Sequence, residues 1–324
     1  MSLLSRRGFG LGAAALTVLA ALPRPARAQA RRTLTIGYVP ATLFAPVFLA
    51  VERGYVRDAG FDVAMTPIVA GADSMALLAQ GQFDVAAAAL SAAFYNAVNR
   101  GLDVKYVAST AYQPKRGSPS ALLVREDLYD GGLRRVDGLR GKQVGWIGNS
   151  GAASAYYVAR ILRPAGLRLG DIEPVNVPNP DQEAALERKA IDAVFTSAPF
   201  SEEFERRKLA AFVGAPPPGI AASGAFFGPS LLHDGGRARA VIDAFRRAAR
   251  DIDSGGFTAP ANVAACAKYT KQPASVIAAS PRYDVKPDLR IDVGTLEDMQ
   301  REFIADGVLT YKDPIDEERL VARL

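Results

Sequence analysis

Cysteine and histidine each occur once in the 324 residues, at Cys266 and His233. One cysteine excludes an internal disulfide and any cysteine cluster for zinc or iron–sulfur. One histidine excludes a multi-histidine metal site, and a Ser-His-Asp or Cys-His mechanism would have to run through His233 alone. His233 sits in Leu231-Leu232-His233-Asp234-Gly235-Gly236, which reads as a loop entering a helix and a surface contact. There is no G-x-S-x-G elbow and no glycine-rich phosphate loop; Gly145 to Gly151 (GWIGNSG) lacks the third glycine of a dinucleotide turn. The paired acids Glu202-Glu203 and Glu317-Glu318 read as solvated helix faces. The sequence therefore predicts no catalytic residue, no metal and no cofactor.

What is there is a globular composition, 49% hydrophobic and 23% charged. It excludes disorder and collagen. A chain of this length usually divides its core in two. The first 28 residues read as an address rather than structure. Ser5-Arg6-Arg7-Gly8-Phe9 precedes a weakly apolar run, Gly10 to Leu22, and then Ala26-Arg27-Ala28. That order is a twin-arginine export signal with cleavage after Ala28. The run is about 13 residues, and crossing hydrocarbon takes about 20. No cysteine at the junction means no lipoprotein anchor. Cleavage removes four arginines and no acid, so 39 Lys+Arg become 35 against 34 Asp+Glu, a net charge of +1. The basic excess needed for nucleic acid or an anionic membrane surface then disappears. The expected mature chain, 29–324, is a periplasmic monomer that does not span the membrane. Cys266 is expected on a buried helix face.

Strands and helices alternate along the mature chain, which means parallel βαβ units and an α/β fold. Strands are expected at 33–39, 61–69, 84–90 and 104–110, with helices at 45–58, 73–80 and 91–101. Residues 111–119 (AYQPKRGSP) break the rhythm as a linker. A second block follows, with strands at 121–125, 143–147, 173–177 and 192–196 and helices at 152–163, 181–189 and 199–208. The second break is Ala215-Pro216-Pro217-Pro218-Gly219. Beyond it the chain reads as mostly helical, at 237–252, 260–270, 273–279 and 294–306. Two breaks predict a chain that crosses twice between lobes: lobe I from 29–112 plus 220–324, lobe II from 113–219.

Ligands of open α/β sheets sit outside the carboxyl ends of the strands. Here those turns read Tyr38-Val39-Pro40-Ala41-Thr42, Ala70-Gly71-Ala72-Asp73-Ser74, Leu90-Ser91-Ala92-Ala93, Asn149-Ser150-Gly151-Ala152 and Thr196-Ser197-Ala198-Pro199. They are small, hydroxyl-bearing and mostly uncharged, and each feeds a helix N-terminus with free N–H groups. For any one turn a plain N-cap explains the same residues. Five such ends on one cleft could hold a sulfonate, carboxylate or phosphate without arginine.

Several stretches resemble the substrate-binding proteins of ABC importers, in the aliphatic-sulfonate, nitrate, taurine and thiamine-pyrimidine-precursor branch. They are Ile36-Gly37-Tyr38-Val39-Pro40, residues 50–63 (AVERGYVRDAGFDV), residues 77–86 (LLAQGQFDVA), residues 139–145 (LRGKQVG) and residues 191–195 (IDAVF). The resemblance covers about 33–310. It implies a two-lobed type II binding-protein fold, each lobe a mostly parallel sheet flanked by helices, which closes on a ligand by hinge motion. It implies a permease and an ATPase as partners. It places ligand contacts at Tyr38 and Thr42, at Ala72, Asp73 and Ser74, at Ser91, at Asn149 and Ser150, and at Thr196 and Ser197. Phe44, Tyr112, Trp146, Phe200 and Phe226 are candidates for flat apolar walls. No arginine lies in these turns, and Lys115 and Arg116 fall in the linker, which argues against a strongly charged ligand such as taurine.

Two other readings stay open on the sequence. One is an enzyme on the same fold, of the pyrimidine-precursor or menaquinone-pathway type. The other is iron binding, since Tyr156-Tyr157 resembles the adjacent tyrosines of ferric-binding proteins; inside a helix these two lie about 100° apart, one toward the core. The export reading predicts that replacing Arg6 and Arg7 with lysine traps the precursor in the cytoplasm. N-terminal sequencing of the wild-type periplasmic form should begin at Gln29; a mature chain still carrying Met1 would overturn it.

Overall fold

β1 (Arg32–Tyr38) turns Leu34, Ile36 and Tyr38 to one buried face, the period-2 pattern its sequence carries. It pairs in parallel with β2 (Phe61–Pro67) along its whole length, from Arg32↔Phe61 to Tyr38↔Pro67. On its other side it pairs with β3 (Val85–Ala89). The protein, a computed structural model, is described at residues 31–68, 71–221 and 223–324, with the backbone alone at 71–73 and 180. The export signal read in residues 1–28 lies outside the described residues. Arg32–Leu324 forms one compact unit.

β4 (Lys105–Ala111) does not touch β3. Between them runs β10 (Ser223–Phe227), antiparallel to both, so the first sheet has the order β2-β1-β3-β10-β4. The second sheet uses β5 (Ser120–Arg125), β6 (Gln143–Trp146), β7 (Glu173–Asn176), β8 (Ala193–Ser197) and β9 (Ala210–Gly214) in the order β7-β6-β8-β5-β9. In each sheet four strands share one direction and one opposes them, β10 in the first and β5 in the second. β9 and β10 are absent from the sequence reading, which ended the second block at a helix and made the chain beyond 219 helical. Both are five-residue runs beside proline- and glycine-rich breaks, and β10 (SGAFF) lacks polar alternation because both its faces are buried. The expected helix over 45–58 is two, Ala45–Glu52 and Tyr55–Asp58, parted by Gly54 at φ 75°. Cys266 is fully buried on the helix Pro260–Thr270, and burial pushes its thiol up to about 12.

The sheets are joined by two connections, after β4 and after β9, and these bond to each other. Gln113 N donates to Ile220 O at 2.9 Å and Gly219 N to Gln113 O at 2.8 Å. Away from these crossings, the helix Ala153–Leu162 of the second sheet meets the helix Val293–Ala305 beside the first. Ala153 and Tyr156 share an apolar cluster with Ala92, Leu296 and Met299. The polar rim of this contact centres on Asp298. Tyr156 Oη donates to it at 2.8 Å, Arg160 pairs with it at 2.5 Å and Arg163 at 3.5 Å, and Arg163 also pairs with Glu302. Partial burial would raise the Asp298 carboxyl, but the Tyr156 hydrogen bond and the two guanidinium charges outweigh it and hold the group below its usual range.

Gly224 lies where a Cβ would stand 2.0 Å from the carbonyl oxygen of Ala108, a backbone atom that cannot swing away. Gly224→Ala should cost about 3 kcal/mol, lowering the melting temperature by roughly 6–12 °C; a melt within 2 °C of wild type would refute the close packing of β10. Asp298→Asn should cost about 1–2 kcal/mol. Because the folded pKa of Asp298 is depressed, that loss should be full above the ordinary aspartate value near 4 and should close as pH falls below it. Paired denaturant melts at pH 7 and pH 3 test this, and an equal loss at both would exclude the ion-pair origin.

Candidate functional site

The parallel strands present their carboxyl ends along one edge of each sheet. On the first sheet these are Tyr38 (β1), Ser91 just past β3, and Thr110–Ala111 (β4), with Ser223 at the start of β10 paired to both Ala89 and Ala111. On the second they are Trp146 (β6) and Thr196–Ser197 (β8), with Ser120 at the start of β5 opposite Ser197. The two edges touch at the predicted turns. Ala92 N, at the head of the helix Ala92–Asn99 that follows Ser91, donates to Gly151 O at 2.9 Å. A Cβ on Gly151 would stand 2.8 Å from the Ala92 methyl, so glycine permits this approach.

Three strand-end hydroxyls are buried without a hydrogen-bond partner in the protein: Ser91 Oγ, Thr110 Oγ1 and Thr196 Oγ1. Arg160 Nε and Gln182 Oε1 share that condition away from the strand ends. An unpaired buried hydroxyl costs about 1–3 kcal/mol, so three of them at strand ends single out this edge as the candidate site.

Ser197 sits differently. Its Oγ lies 3.5 Å from both Ser120 Oγ and Tyr283 Oη, the two being 3.0 Å from each other. Gln113 Nε2 donates to Ser120 Oγ at 3.1 Å, and Ser118 Oγ donates to Gln113 Oε1 at 2.8 Å. This chain of neutral groups ties the crossing connection to the end of β8. Burial raises the Tyr283 phenol, so it stays a neutral donor.

The remaining predicted residues are spread more widely. Asn149 and Ser150 are exposed, and Asn149 Oδ1 accepts from Gly151 N at 2.9 Å, shaping the turn. Thr42 is half-buried on the short turn Thr42–Phe44, which packs against β4 and β10. Ser74 is fully buried in the helix Gly71–Ala79; the side chains of Ala72 and Asp73 lie outside the described ones. Tyr38 turns its ring into the core, edge-on to Phe48 and Tyr269 at 5.4 and 5.3 Å. Phe44 belongs to the same core. Tyr112 is anchored by Oη donating to Arg290 O at 2.5 Å, and burial pushes its phenol up to about 12.

Of the candidate walls, Trp146 is packed in the second core, and Phe226 is fully buried between Phe94 and Tyr106 at 5.0 and 5.1 Å. Phe226 belongs to the mid-sheet strand β10, which its sequence neighbourhood did not announce. Phe200 remains half-buried beside Phe204. Sequence reasoning missed Thr110, Ser120 and Tyr283. Thr110 was read as the last residue of a strand, although the same strand-end rule that selected Ser91 and Thr196 applies to it. Tyr283 is more than 160 residues from Ser120, and no local pattern announces that contact.

A surface cavity of about 430 Å³ lies away from these strand ends, around Leu128–Lys142, and one of about 420 Å³, around Phe257–Lys286, is lined in part by Tyr283. Neither holds a predicted ligand residue. Tyr156 gives its hydroxyl to Asp298, and burial together with that carboxylate drives its phenol far above the ordinary value. A phenolate ligand for ferric iron needs the opposite shift. His233 is exposed and pairs with Asp103 at 2.6 Å. Among the described residues no helix is long and apolar enough to cross a membrane.

No curated protein matches the chain in sequence. Solved structures do match its fold. The periplasmic aliphatic sulphonate binding protein SsuA from Escherichia coli is 21% identical, with 90% of this chain and 94% of that one covered at a TM-score of 0.69. The periplasmic nitrate-binding protein NrtA from Synechocystis PCC 6803 is 13% identical, with 89% and 84% covered at 0.66. A cysteine-to-serine variant of DszB in complex with biphenyl-2-sulfinic acid is 15% identical, with 90% and 97% covered at 0.61. At these identities the likeness shows the fold, that of the type II periplasmic binding proteins. The family described as NMT1/THI5 like matches residues 41–210, more than half of the sequence, and the chain belongs to that family.

Proposed function

We propose that the protein is the exported solute-binding component of an ABC importer. It captures a small organic anion or heterocycle, of the sulfonate, nitrate or pyrimidine-precursor kind, in the cleft between lobe I (29–112 plus 220–324) and lobe II (113–219). It then presents the closed form to a membrane permease driven by an ATPase. The observation that carries this reading is the pair Ser91 and Thr196. Both stand at strand ends that the sequence marks as ligand contacts, they come from different sheets, and each has a buried hydroxyl without a protein partner. The binding proteins for sulphonate and nitrate among the structural neighbours support the same ligand class.

An enzymatic role on this fold finds less support. Cys266 is buried with its thiol pushed up to about 12, which suppresses the thiolate a nucleophile needs. His233 is at the surface, held by Asp103.

Purified mature protein should show a higher melting temperature with at least one of MOPS, sodium nitrate or 4-aminopyrimidine, because ligand that binds only the folded state stabilises it by mass action. At a ligand concentration 100 times Kd the gain is about 2.7 kcal/mol, or roughly 5–10 °C. Ser91→Ala and Thr196→Val should each reduce the shift. Turnover of a ligand by the pure protein, followed by mass spectrometry, would favour the enzymatic reading.

A further inference from the structure

We infer that Thr110 is a third ligand-gripping hydroxyl, donating to an acceptor oxygen or nitrogen of the bound anion or heterocycle; this rests on the binding-protein reading above. Thr110 is fully buried and its Oγ1 has no partner in the protein. It is the penultimate residue of β4, as Thr196 is of β8.

Its backbone explains why it stands out from its strand. Ser223 pairs with Ala111 and Gly224 with Ser109, so Thr110 is the extra residue of a β-bulge. A bulge frees its extra residue from the ladder and re-aims its side chain, and such kinks gather beside functional sites. The neighbours of Thr110 are all committed elsewhere. Ser109 Oγ accepts from Asp292 N at 2.9 Å and bonds Tyr106 Oη at 2.9 Å. Tyr112 is tied to Arg290 and, through its backbone, to Asp284. Thr110 alone in this run keeps an unused donor.

Its place in the sheet also fits. Ser223 of β10 pairs with Ala89 on one side and Ala111 on the other, so those two residues are level and two strand spacings, about 10 Å, apart; Ser91 lies two residues beyond the first and Thr110 one before the second, at the carboxyl ends of β3 and β4, which run parallel on either side of β10. The Thr42–Phe44 turn packs against β4. The three orphan hydroxyls therefore lie just past β3 and at the ends of β4 and β8, which lets a ligand be gripped from two strand ends of one sheet and one of the other. Hydroxyl donors complement oxygens that only accept, and they do so without a fixed positive charge.

The test uses the mature protein with MOPS, sodium nitrate and 4-aminopyrimidine as probes, by calorimetric titration and thermal melting. Thr110→Val keeps the shape and removes the hydroxyl; Thr110→Ser keeps the hydroxyl. The expected result is about tenfold weaker binding of the responding probe by the valine variant, wild-type affinity in the serine variant, and a ligand-free melting temperature in the valine variant equal to or above wild type. Wild-type affinity in the valine variant would overturn the role of Thr110 while leaving the binding reading standing. A valine variant that melts several degrees lower without ligand would reveal a structural partner and overturn it as well. Silence of the wild type toward all three probes would overturn the binding reading, and the assignment of Thr110 would fall with it.

Discussion

The return of the chain as β10 governs the rest of the architecture. Without it the first half would be an ordinary βαβ array ending at β4. By inserting Ser223–Phe227 between β3 and β4, antiparallel to both, the chain makes its second crossing come back beside its first. The two connections then hydrogen-bond to each other through Gln113, Gly219 and Ile220. Two parallel tethers in contact leave two sheets far less freedom than one tether would, since separation or twist must strain both. The strand ends of one sheet are thereby kept opposite those of the other. The same insertion demands a glycine at 224, since the Tyr106 ring and the Ala108 carbonyl fill the space of any side chain there.

The chemistry at the facing edges is economical in charge. A buried cation would need a partner or a large desolvation penalty. A buried hydroxyl left unpaired costs only about 1–3 kcal/mol, a deficit the fold can carry and a ligand can repay. Three such hydroxyls at strand ends break the rule that interior polar groups find partners, and sites that break the rule are where function is expected. The surrounding network shows that the fold satisfies its neutral groups where it needs rigidity. Gln113, Ser118, Ser120 and Tyr283 are linked at the crossing, while Thr196, one residue before Ser197, is left open.

Much of this was legible in the sequence, and the reasons are local. The alternation in Thr33–Tyr38, the prolines of 114–119 and 216–218, and the small hydroxyl-bearing turns are all short-range signals; they locate eight strands and two crossings, and they mark Ser91 and Thr196 as candidates. What escaped depended on distance or on packing against both faces. β10 has no period because it is covered on two sides. Tyr38 was chosen for its place at a strand end, but side-chain alternation sends its ring to Phe48 and Tyr269 instead. Thr110 was hidden by its own bulge, since a break in register cannot be read from one strand.

The contact around Asp298 bears on how the proposed closure could work. Ala92 to Gly151 and Asp298 to Tyr156, Arg160 and Arg163 both join the halves carrying the two sheets, so opening of the cleft must part them. Both Asp298 and Arg160 keep about a quarter of their side-chain surface in solvent, 23% each. An ion pair so placed is worth on the order of 1 kcal/mol after screening, and water can replace its partners when the halves separate. A ligand can bias the open–closed balance only by its difference in affinity for the two states. On the proposed reading, hydrogen bonds from hydroxyls on both sheets would supply that difference directly, because a half-open cleft satisfies only one side. Under the proposed function, a rim contact of this modest strength would hold a closed form together without fixing it, leaving the larger share of closure to the solute.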